Sequence, residues 1–514
     1  MDTLSVLDAA RDPTVARRPA LIAPGAGPGD VLTYTYADLA AIVAPLCARL
    51  AAAGVGPGAR VALTAPNAVG TVAAIHALLA MGAVLVPIHP RLTPPEAAAL
   101  LEDAAPSLVL HDTALAGIGL APGEAPAPLA PPTPSVVPAP APDPDGDLAI
   151  VYTSGTTGRP KGAVIPRRAF AASAAASAAV LGVRDDDRWL LCMPLCHVGG
   201  LSIVTRCLLA RRAVVLVPRF DPAAVLASIA RDRATLLSVV PTMLTALLDA
   251  DPDGVLTRLR AVVVGGAAAP ERLLAECARR GVPALTTYGL TEACSQVTLQ
   301  PPRDPRAREP GSGRPLPGTE IRVVASPADG VPDGADGAGR IQVRGPTLLR
   351  GYWRGPSRPP ESVVDASGWF DTGDLGEIDP AGRLHVLARR TDLIVTGGEN
   401  VYPAEVEQAL EASPGVARAL VFGVPDDRWG QLVAAAVVLG AAPPADPLAA
   451  LAEATAARLA PHKRPRRLCL VDHLPLTPAG KPDRAGAAAR FARSLQPVVA
   501  GLEQGGREVG RKHQ

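Results

Sequence analysis

Aromatic side chains are scarce in this chain of 514 residues. Phe, Trp and Tyr together contribute 3% of the residues, whereas hydrophobic residues as a whole reach 48%. Apolar side chains for burial are therefore ample but mostly aliphatic, and we expect aliphatic cores. A chain of this length exceeds what one hydrophobic core serves, so at least two domains are predicted.

An excess of charge of either sign is also missing. The chain has 50 Lys and Arg residues against 49 Asp and Glu residues, which leaves a formal net charge of +1. Domains that bind nucleic acid or anionic membranes usually carry a clustered positive excess. The balance therefore argues against nucleic acid as a partner and favours small molecules.

Cysteines are few and do not form a pattern. The 7 cysteines are an odd number scattered along the chain, which suits a reducing cytoplasm better than a disulfide framework. Cys192, Cys196 and His197 follow a C-x3-C-H spacing, and the sequence offers no second pair of ligands to complete a zinc site. We therefore interpret these cysteines as small buried side chains.

Signal-peptide and membrane-span patterns are missing as well. The amino terminus lacks a cationic segment followed by an apolar one. The most apolar stretch, residues 71–90, contains His76 and breaks at Gly82, which predicts a helix followed by a strand. We expect a cytoplasmic protein without stable membrane insertion.

A loop of small polar residues runs from Tyr152 to Gly162 and contains Lys161. It follows the apolar run 148–151, which predicts a strand leading into the loop. Glycine lets the backbone approach a ligand closely, and the N–H groups and hydroxyls of such a loop converge on phosphate oxygens. The pattern favours a nucleotide phosphate site over a flexible surface loop. A Walker P-loop is disfavoured because Pro160 precedes the lysine and Gly162 follows it.

Apolar runs alternate with helical stretches over residues 61–111 and again over residues 189–287, which predicts an α/β fold with two parallel sheets covered by helices. Past Gly311, short alternating segments separated by turns predict antiparallel hairpins. We predict a large N-terminal domain, residues 1–390, of two α/β layers and an antiparallel β subdomain. A small α+β domain, residues 391–514, follows it.

Five segments in order resemble the motifs of the adenylate-forming (ANL) superfamily. They are Tyr152 to Gly162, Tyr288 to Glu292, Trp369 to Asp374, Arg389 to Asn400 and Pro478 to Lys481. Any one could occur by chance, but the ordered set is specific and covers nearly the whole chain. This superfamily includes acyl-CoA synthetases, peptide-synthetase adenylation domains and firefly-type luciferases.

The resemblance implies an enzyme that uses ATP and Mg²⁺ to join a small carboxylic acid to coenzyme A. The carboxylate attacks the α-phosphate of ATP to give an acyl-adenylate and pyrophosphate, and a thiol then displaces AMP. Two anions must meet in the first step, so cations and positioned donors are needed at the reacting centre.

The resemblance also implies which residues contact the nucleotide. Tyr288 would pack on adenine beside Gly266 and Ala267, and Asp374 with Arg389 would hold the ribose hydroxyls. The residues implied for the β- and γ-phosphates are Thr153, Ser154, Gly155, Thr156, Thr157, Gly158 and Lys161.

Catalysis is implied to rest on Thr291 at the α-phosphate, Glu292 as the Mg²⁺ ligand, and Lys481 between the acid and the α-phosphate. Taken alone, Lys481 marks only a turn; its place in the ordered series favours a catalytic role. The C-terminal domain is implied to be mobile, rotating about Thr391, where many relatives carry Asp or Lys. This rotation would bring Gly397 and Gly398 to the coenzyme A channel.

Within the superfamily, the likeness is strongest to the 2-succinylbenzoate–CoA ligases of menaquinone biosynthesis. It is carried by Met193 to Ser202, Tyr288 to Gln296, Val386 to Pro403 and Asp426 to Gln431. Such an acid keeps one carboxylate free, so its pocket needs a cation or several donors. The candidate acid-binding residues are His197, Ser202 and Arg206.

Other interpretations stay open at this point. Arg206 is equally compatible with a solvated helix arginine, and His197 with a buried, hydrogen-bonded histidine. The substrate is alternatively another aryl or medium-chain acid, and a non-catalytic nucleotide-binding paralogue is a further alternative. The sequence is compatible with a homo-oligomer and leaves the oligomeric state open.

Overall fold

A computed structural model describes most of the chain: residues 4–25, 27, 29–64, 66–111, 142–153, 160–266, 269, 271–302, 311–324, 339–388, 394–401, 403–475 and 484–498. The chain forms two compact units. The first unit comprises most of residues 1–390, and the second is formed mainly by residues 391–514.

The strands of the first unit are mostly short. They are β1 Pro19–Pro24, β2 Val31–Thr35, β3 Arg60–Thr64, β4 Val84–Pro87, β5 Leu108–His111, β6 Asp147–Thr153, β7 Lys161–Pro166, β8 Arg188–Leu191, β9 Ala213–Leu216, β10 Leu236–Val239, β11 Ala261–Val264, β12 Ala284–Leu290, β13 Ser295–Leu299, β14 Arg314–Pro315, β15 Glu320–Val324, β16 Gly339–Arg344, β17 Gly351–Tyr352, β18 Phe370–Ile378 and β19 Leu384–Ala388.

Helices separate the parallel strands. They are α1 Val6–Ala9, α2 Pro13–Ala16, α3 Tyr36–Ala52, α4 Val69–Met81, α5 Pro94–Ala104, α6 Arg167–Leu181, α7 Val198–Ala210, α8 Pro222–Asp232, α9 Pro241–Asp249 and α10 Glu271–Arg280, with 3-10 turns at Val255–Arg258 and Thr291–Ala293. Sequence signals explain several of the helix starts. Asp221 caps α8 by accepting from the Ala224 N–H, with Pro222 in the first turn.

Two sheets of the first unit are largely parallel. The nine-stranded sheet has the order β14-β13-β12-β11-β10-β8-β9-β1-β2, and the six-stranded sheet has the order β17-β7-β6-β4-β3-β5. Strands β4, β9, β10 and β11 are buried along their whole length, as expected for strands covered on both faces. A four-stranded antiparallel sheet, β15-β16-β18-β19, forms the predicted β subdomain. The predicted α/β fold is confirmed.

The second unit is built on one sheet. Its strands are β20 Ile394–Thr396, β21 Glu399–Val401, β22 Val416–Asp426, β23 Gly430–Leu439, β24 Arg467–Leu470 and β25 Gln496–Pro497, and its helices are α11 Pro403–Glu411, α12 Pro447–Arg458 and α13 Arg484–Phe491. The sheet order is β21-β20-β23-β24-β25, with β22 also paired to β23. Aliphatic side chains from α11, β22, β23 and α12 form its core, in agreement with the α+β prediction.

The apolar stretch at 71–90 forms α4 and β4, as the sequence predicts. Over the part of the chain that the structure describes, none of the helices has both the length and the apolar character that crossing a bilayer demands.

Candidate active site

Several predicted nucleotide residues lie where parallel strands of the nine-stranded sheet end. Gly266 follows β11, and Tyr288 lies in β12, which pairs with β11 in parallel so that Val264 lies beside Thr286. Ligands of open parallel sheets bind beyond the carboxyl ends of the strands. The pairing therefore brings the predicted adenine residues Gly266 and Tyr288 to the same edge.

The segment after Tyr288 needs a glycine. Strand β12 pairs with β13 through an irregularity between Tyr288 and Gly289. A side-chain carbon at Gly289 would collide with the carbonyl oxygen of Ser295, so the backbones approach too closely for any other residue. The chain then enters the 3-10 turn Thr291–Ala293, which carries Thr291 and Glu292.

Tyr288 and Asp374 are in direct contact. The Tyr288 hydroxyl donates to Oδ2 of Asp374 at 2.7 Å, and the Asp374 N–H donates to the Thr372 hydroxyl at 3.1 Å. The Tyr288 side chain is 5% exposed. This bond joins the residue predicted at adenine to the residue predicted at the ribose, which lie 86 positions apart in the chain.

Lys161 and Glu292 meet at Tyr352. The Lys161 Nζ lies 5.3 Å from the centre of the Tyr352 ring, and the Tyr352 hydroxyl donates to Oε1 of Glu292 at 2.7 Å. A cation over an aromatic face is attracted by the negative charge of the ring face. The predicted phosphate lysine and the predicted Mg²⁺ ligand thus belong to one cluster.

Tyr352 was missed by the sequence analysis. It lies in the two-residue strand β17, which pairs with β7 so that Tyr352 lies opposite Ala163. The Trp353 N–H also donates to the Gly162 carbonyl at 2.7 Å, which fixes this register. No spacing rule links residue 352 to residue 161, so only strand pairing reveals the contact.

The residues on either side of the predicted phosphate loop belong to an antiparallel pair of strands. Strands β6 and β7 pair with Thr153 opposite Lys161. Beside this pair, the Tyr152 hydroxyl donates to Oδ2 of Asp103 at 2.5 Å. Burial and this hydrogen bond raise the pKa of Tyr152, so the hydroxyl stays protonated and available as a donor.

Several predicted site residues lie outside the described part of the chain. They are Ser154, Gly155, Thr156, Thr157 and Gly158 of the loop, Ala267, Arg389, the hinge residue Thr391 and Lys481. Their roles stay predictions.

His197 lies at the amino end of α7, in the segment that follows the carboxyl end of β8. Its ring centre is 5.7 Å from that of His89, which follows β4 of the other sheet. Ser202 lies on α7 with 1% exposure, and its hydroxyl has no hydrogen-bond partner among the described residues. His197 therefore lies beyond the carboxyl ends of the strands. His89 was not singled out from the sequence.

Arg206 is buried on α7 with 5% exposure, so it is not the solvated helix arginine considered above. Its Nη2 donates to the Ser173 hydroxyl at 3.4 Å, and its guanidinium lies 5.5 Å from the Trp189 ring centre. Burial lowers the pKa of Arg206 to about 10. Asp187 and Arg260 line the same small cavity. The cavity lies at the amino ends of β8 and β10, whereas ligands of such sheets bind beyond the carboxyl ends of the strands. An acid-binding role is therefore less well supported for Arg206 than for His197.

Gly397 and Gly398 form the turn between β20 and β21 in the second unit. Thr396 pairs with Glu399, and the two glycines have φ values of +59° and +81°. Positive φ at both central residues defines the hairpin turn that favours glycine. The Gly397 N–H donates to the Trp429 carbonyl at 2.9 Å. The loop predicted over 397–400 is therefore a tight hairpin whose second strand begins at Glu399.

The first unit has two largely parallel sheets, with the predicted adenine residues together at one sheet edge, and the second unit is a separate α+β fold. This combination is typical of two-domain adenylate-forming enzymes. The AMP-binding enzyme family matches residues 9–353, and the AMP-binding enzyme C-terminal domain matches residues 405–481. The chain belongs to the AMP-binding enzyme family.

The chain is similar to several named acid–CoA ligases. A 2-succinylbenzoate–CoA ligase from Bacillus cereus (strain Q1) is 39% identical over 329 residues, 64% of this chain and 67% of the relative. The o-succinylbenzoate CoA synthetase (MenE) of Bacillus subtilis, a double mutant bound to the product analogue OSB-NCoA, is 32% identical over 97% of this chain and 100% of its own, with a TM-score of 0.82.

The same Bacillus subtilis enzyme has been solved with the acyl-adenylate OSB-AMP, at a TM-score of 0.65, and with ATP and a magnesium ion, at a TM-score of 0.63. A malonyl-CoA ligase with methylmalonyl-CoA and AMP is 36% identical over 91% of this chain and 99% of its own, with a TM-score of 0.76.

Proposed function

We propose that this protein is an ATP-dependent, AMP-forming acid–CoA ligase that converts 2-succinylbenzoate to 2-succinylbenzoyl-CoA in menaquinone biosynthesis. The main support is the cluster in which Tyr352 links Lys161 to Glu292, the residues predicted at the phosphates and at Mg²⁺. The Tyr288–Asp374 hydrogen bond supports the predicted adenosine site. The similarity to 2-succinylbenzoate–CoA ligases supports the choice of acid.

The first half-reaction joins two anions. A carboxylate oxygen of the acid attacks the α-phosphorus of ATP, an O–P bond forms, and the bond to pyrophosphate breaks. Lys161 neutralises negative charge on the β- and γ-phosphates, and Thr153 to Gly158 hold these phosphates through hydrogen bonds. Lys481 and Thr291 contact the reacting carboxylate and the α-phosphate. Positive charge at the centre lowers the repulsion between the reactants.

The adenosine part is held at the edge of the nine-stranded sheet. The Tyr288 ring packs on adenine beside Gly266 and Ala267. Asp374 accepts hydrogen bonds from the ribose hydroxyls, and the Arg389 guanidinium donates to the ribose oxygens. The hydrogen bond from Tyr288 fixes the Asp374 carboxylate, so it is oriented before the nucleotide arrives.

Glu292 fits a magnesium ligand. Mg²⁺ is bound in proteins through one or two carboxylates together with substrate phosphates. Oε1 of Glu292 accepts a hydrogen bond from Tyr352. A carboxylate has about four lone-pair positions, so this bond leaves acceptor capacity for a metal. Bound Mg²⁺ would neutralise phosphate charge there.

The second half-reaction forms the thioester. The thiol of coenzyme A loses its proton, its sulfur bonds to the acyl carbon, and the bond between that carbon and the AMP oxygen breaks. We assign the Gly397–Gly398 turn to the coenzyme A channel and rotation of the mobile second unit to a hinge at Thr391.

The acid is assigned to the amino-terminal part of α7. His197 and Ser202 are the candidate donors for the free second carboxylate. Arg206, farther along the helix and buried at the amino ends of β8 and β10, is the candidate cation with less support. The unsatisfied hydroxyl of Ser202 fits a donor held for a ligand.

We place the reaction in the cytoplasm, where ATP and free coenzyme A are available. All 7 cysteines are free, which agrees with a reducing compartment. A homo-oligomer is compatible with this proposal, and light scattering of the purified chain measures its mass directly.

A thioester assay dependent on ATP and coenzyme A tests the proposal. The panel contains 2-succinylbenzoate, benzoate, malonate, methylmalonate and octanoate. We expect AMP release and thioester formation with the highest kcat/KM for 2-succinylbenzoate. Absence of AMP release with every acid would identify a non-catalytic nucleotide-binding protein and overturn the proposal.

A second candidate acid is malonate or a similar small dicarboxylate. It is favoured by the malonyl-CoA ligase, which is 36% identical to this chain, against 32% for the solved 2-succinylbenzoate enzyme. Both acids keep a free carboxylate after activation, so both need the same kind of donor. A higher kcat/KM for malonate than for 2-succinylbenzoate would select this alternative without changing the reaction class.

A further inference from the structure

Three side chains with metal-binding atoms meet between the two large sheets of the first unit. His89 follows β4 of the six-stranded sheet, and Cys196 and His197 follow β8 of the nine-stranded sheet. One ligand atom of each residue lies within 4.8 Å of the other two. The sequence pattern named Cys192, Cys196 and His197 and missed His89, which lies more than a hundred positions earlier.

The surrounding structure holds these segments together. The Asn67 side-chain amide, which follows β3, donates to the Met193 carbonyl after β8 at 2.9 Å, and Asn67 is 5% exposed. Cys196 is 9% exposed, and the imidazole rings of His89 and His197 are tilted by 54°. The three donors are therefore brought together by the packed fold rather than by one flexible loop.

We propose that His89, Cys196 and His197 form a binding site for a thiophilic transition-metal ion such as Zn²⁺. Imidazole nitrogen and thiolate sulfur are the ligands that Zn²⁺ prefers, at bond lengths of about 2.0–2.3 Å. Tetrahedral bonds of that length set ligand atoms roughly 3.3–3.8 Å apart. Side-chain rotations that shorten the separations by about 1 Å would complete three sides of a tetrahedron and leave the fourth to water.

Binding at this site replaces the thiol proton of Cys196 by a sulfur–metal bond, and the proton passes to solvent. His197 is also a candidate acid-binding group, so a bound ion and the acid would compete for its imidazole. That competition rests on the proposed function, whereas metal binding itself does not.

The test uses the full chain, freed of metal by a chelator. Zn²⁺ is titrated in competition with a chromophoric chelator, and Co²⁺ absorption reports a sulfur–metal bond. We expect one ion per chain. Because loss of even an outer-shell partner costs about 10–100-fold in metal affinity, Cys196→Ala should bind at least about tenfold more weakly than wild type.

Cys192→Ala is the matched control, because Cys192 is equally a buried thiol of the segment after β8, with 2% exposure, and lies outside the cluster. It should bind Zn²⁺ as wild type does. His89→Ala provides a second variant if Cys196→Ala does not fold, and it should also bind at least about tenfold more weakly. No stoichiometric uptake by wild type, or equal affinity in wild type and a folded cluster variant, would overturn the site. Neither outcome bears on AMP release.

Discussion

At the residue scale, Tyr352 links the lysine assigned to the β- and γ-phosphates with the carboxylate assigned to Mg²⁺. Its hydroxyl donates to Glu292 and its ring lies beneath the Lys161 ammonium. A hydrogen bond to a charged group contributes about 1.5–3 kcal/mol. The tyrosine thus orients the Glu292 carboxylate through a hydrogen bond to one carboxylate oxygen, Oε1.

Tyr352→Phe removes only the hydroxyl. We expect kcat/KM for pyrophosphate exchange to fall about tenfold, because roughly 1.4 kcal/mol corresponds to a factor of ten. The Mg²⁺ concentration for half-maximal rate should rise, since Glu292 loses its orienting donor. Steady-state exchange rates over a Mg²⁺ series measure both quantities.

Tyr36→Phe is the control for that experiment. Tyr36 is 2% exposed, and its hydroxyl donates to the carbonyls of Cys207 and Arg212, both at 3.0 Å. This variant should lower the melting temperature and leave the Mg²⁺ dependence unchanged. If Tyr352→Phe behaves like Tyr36→Phe, the tyrosine has no role at the metal ligand.

At the element scale, Asp187 links the starts of three parallel strands, because its partners Thr235 and Arg260 directly precede β10 and β11. It precedes β8 and accepts two hydrogen bonds from Arg260, both at 2.6 Å, and one from Thr235 before β10, at 2.8 Å. Burial raises the pKa of Asp187, but the hydrogen bonds from Arg260, the Arg184 N–H and Thr235 outweigh it and lower the pKa overall. The carboxylate therefore stabilises the sheet in its charged form.

Asp187→Asn leaves Arg260 without its charge partner, and breaking a buried pair costs about 3–5 kcal/mol. We expect a clear drop in melting temperature at neutral pH. Because the folded-state pKa is lowered, the stabilisation is present above the ordinary value of 3.8 and is lost as pH falls through the folded-state pKa. The two melting curves should therefore converge in acid.

Asp185→Asn serves as the comparison. Asp185 also pairs with an arginine, Arg212, at 2.7 Å, but its side chain is 89% exposed. Exposed pairs contribute about 0–1 kcal/mol, so this variant should melt close to wild type. Equal decreases in melting temperature for Asp187→Asn and Asp185→Asn would show that burial of Asp187 does not account for its contribution to stability.

The Gly397–Gly398 turn of the second unit is assigned to the coenzyme A channel. Gly398→Ala places a side chain at φ +81°, where a left-handed conformation costs about 1–2 kcal/mol. We expect thioester formation to slow while pyrophosphate exchange stays near wild type, because the turn is assigned to the coenzyme A channel alone. Separate assays of pyrophosphate exchange and of thioester formation measure the ratio of the two rates.

Gly382→Ala introduces the same strain, at φ +77°, in the turn before β19 of the first unit. It should leave the ratio of the half-reactions unchanged. A Gly398→Ala variant with an unaltered ratio would remove the turn from the channel.

At the scale of the whole molecule, the proposed reaction divides its steps between the two units. Lys481→Ala should abolish pyrophosphate exchange, because it removes the ammonium that we propose bridges the acid and the α-phosphate. Conversion of preformed acyl-adenylate to thioester should continue. Lys512→Ala is the control with the same loss of charge, and near-normal exchange in Lys481→Ala would contradict the assignment.

Local patterns predicted much of the fold. The alternation of apolar runs and helical stretches predicted both parallel sheets, and Asp221 with Pro222 predicted the start of α8. These features depend on hydrogen bonds and burial within a few neighbouring residues. The pairing of β17 with β7 was not predictable in this way, because two residues carry no periodic signal.

The same distinction explains the site. By itself, the sequence determined the family motifs, the order in which they occur and the residue types at Lys161, Tyr288, Glu292 and Asp374, because each motif is a local run of the chain. Only the tertiary structure decided which residues touch: Tyr352 joins Glu292, Tyr288 joins Asp374, and His89 approaches His197. These contacts follow from strand order and packing over long separations, which no local pattern records.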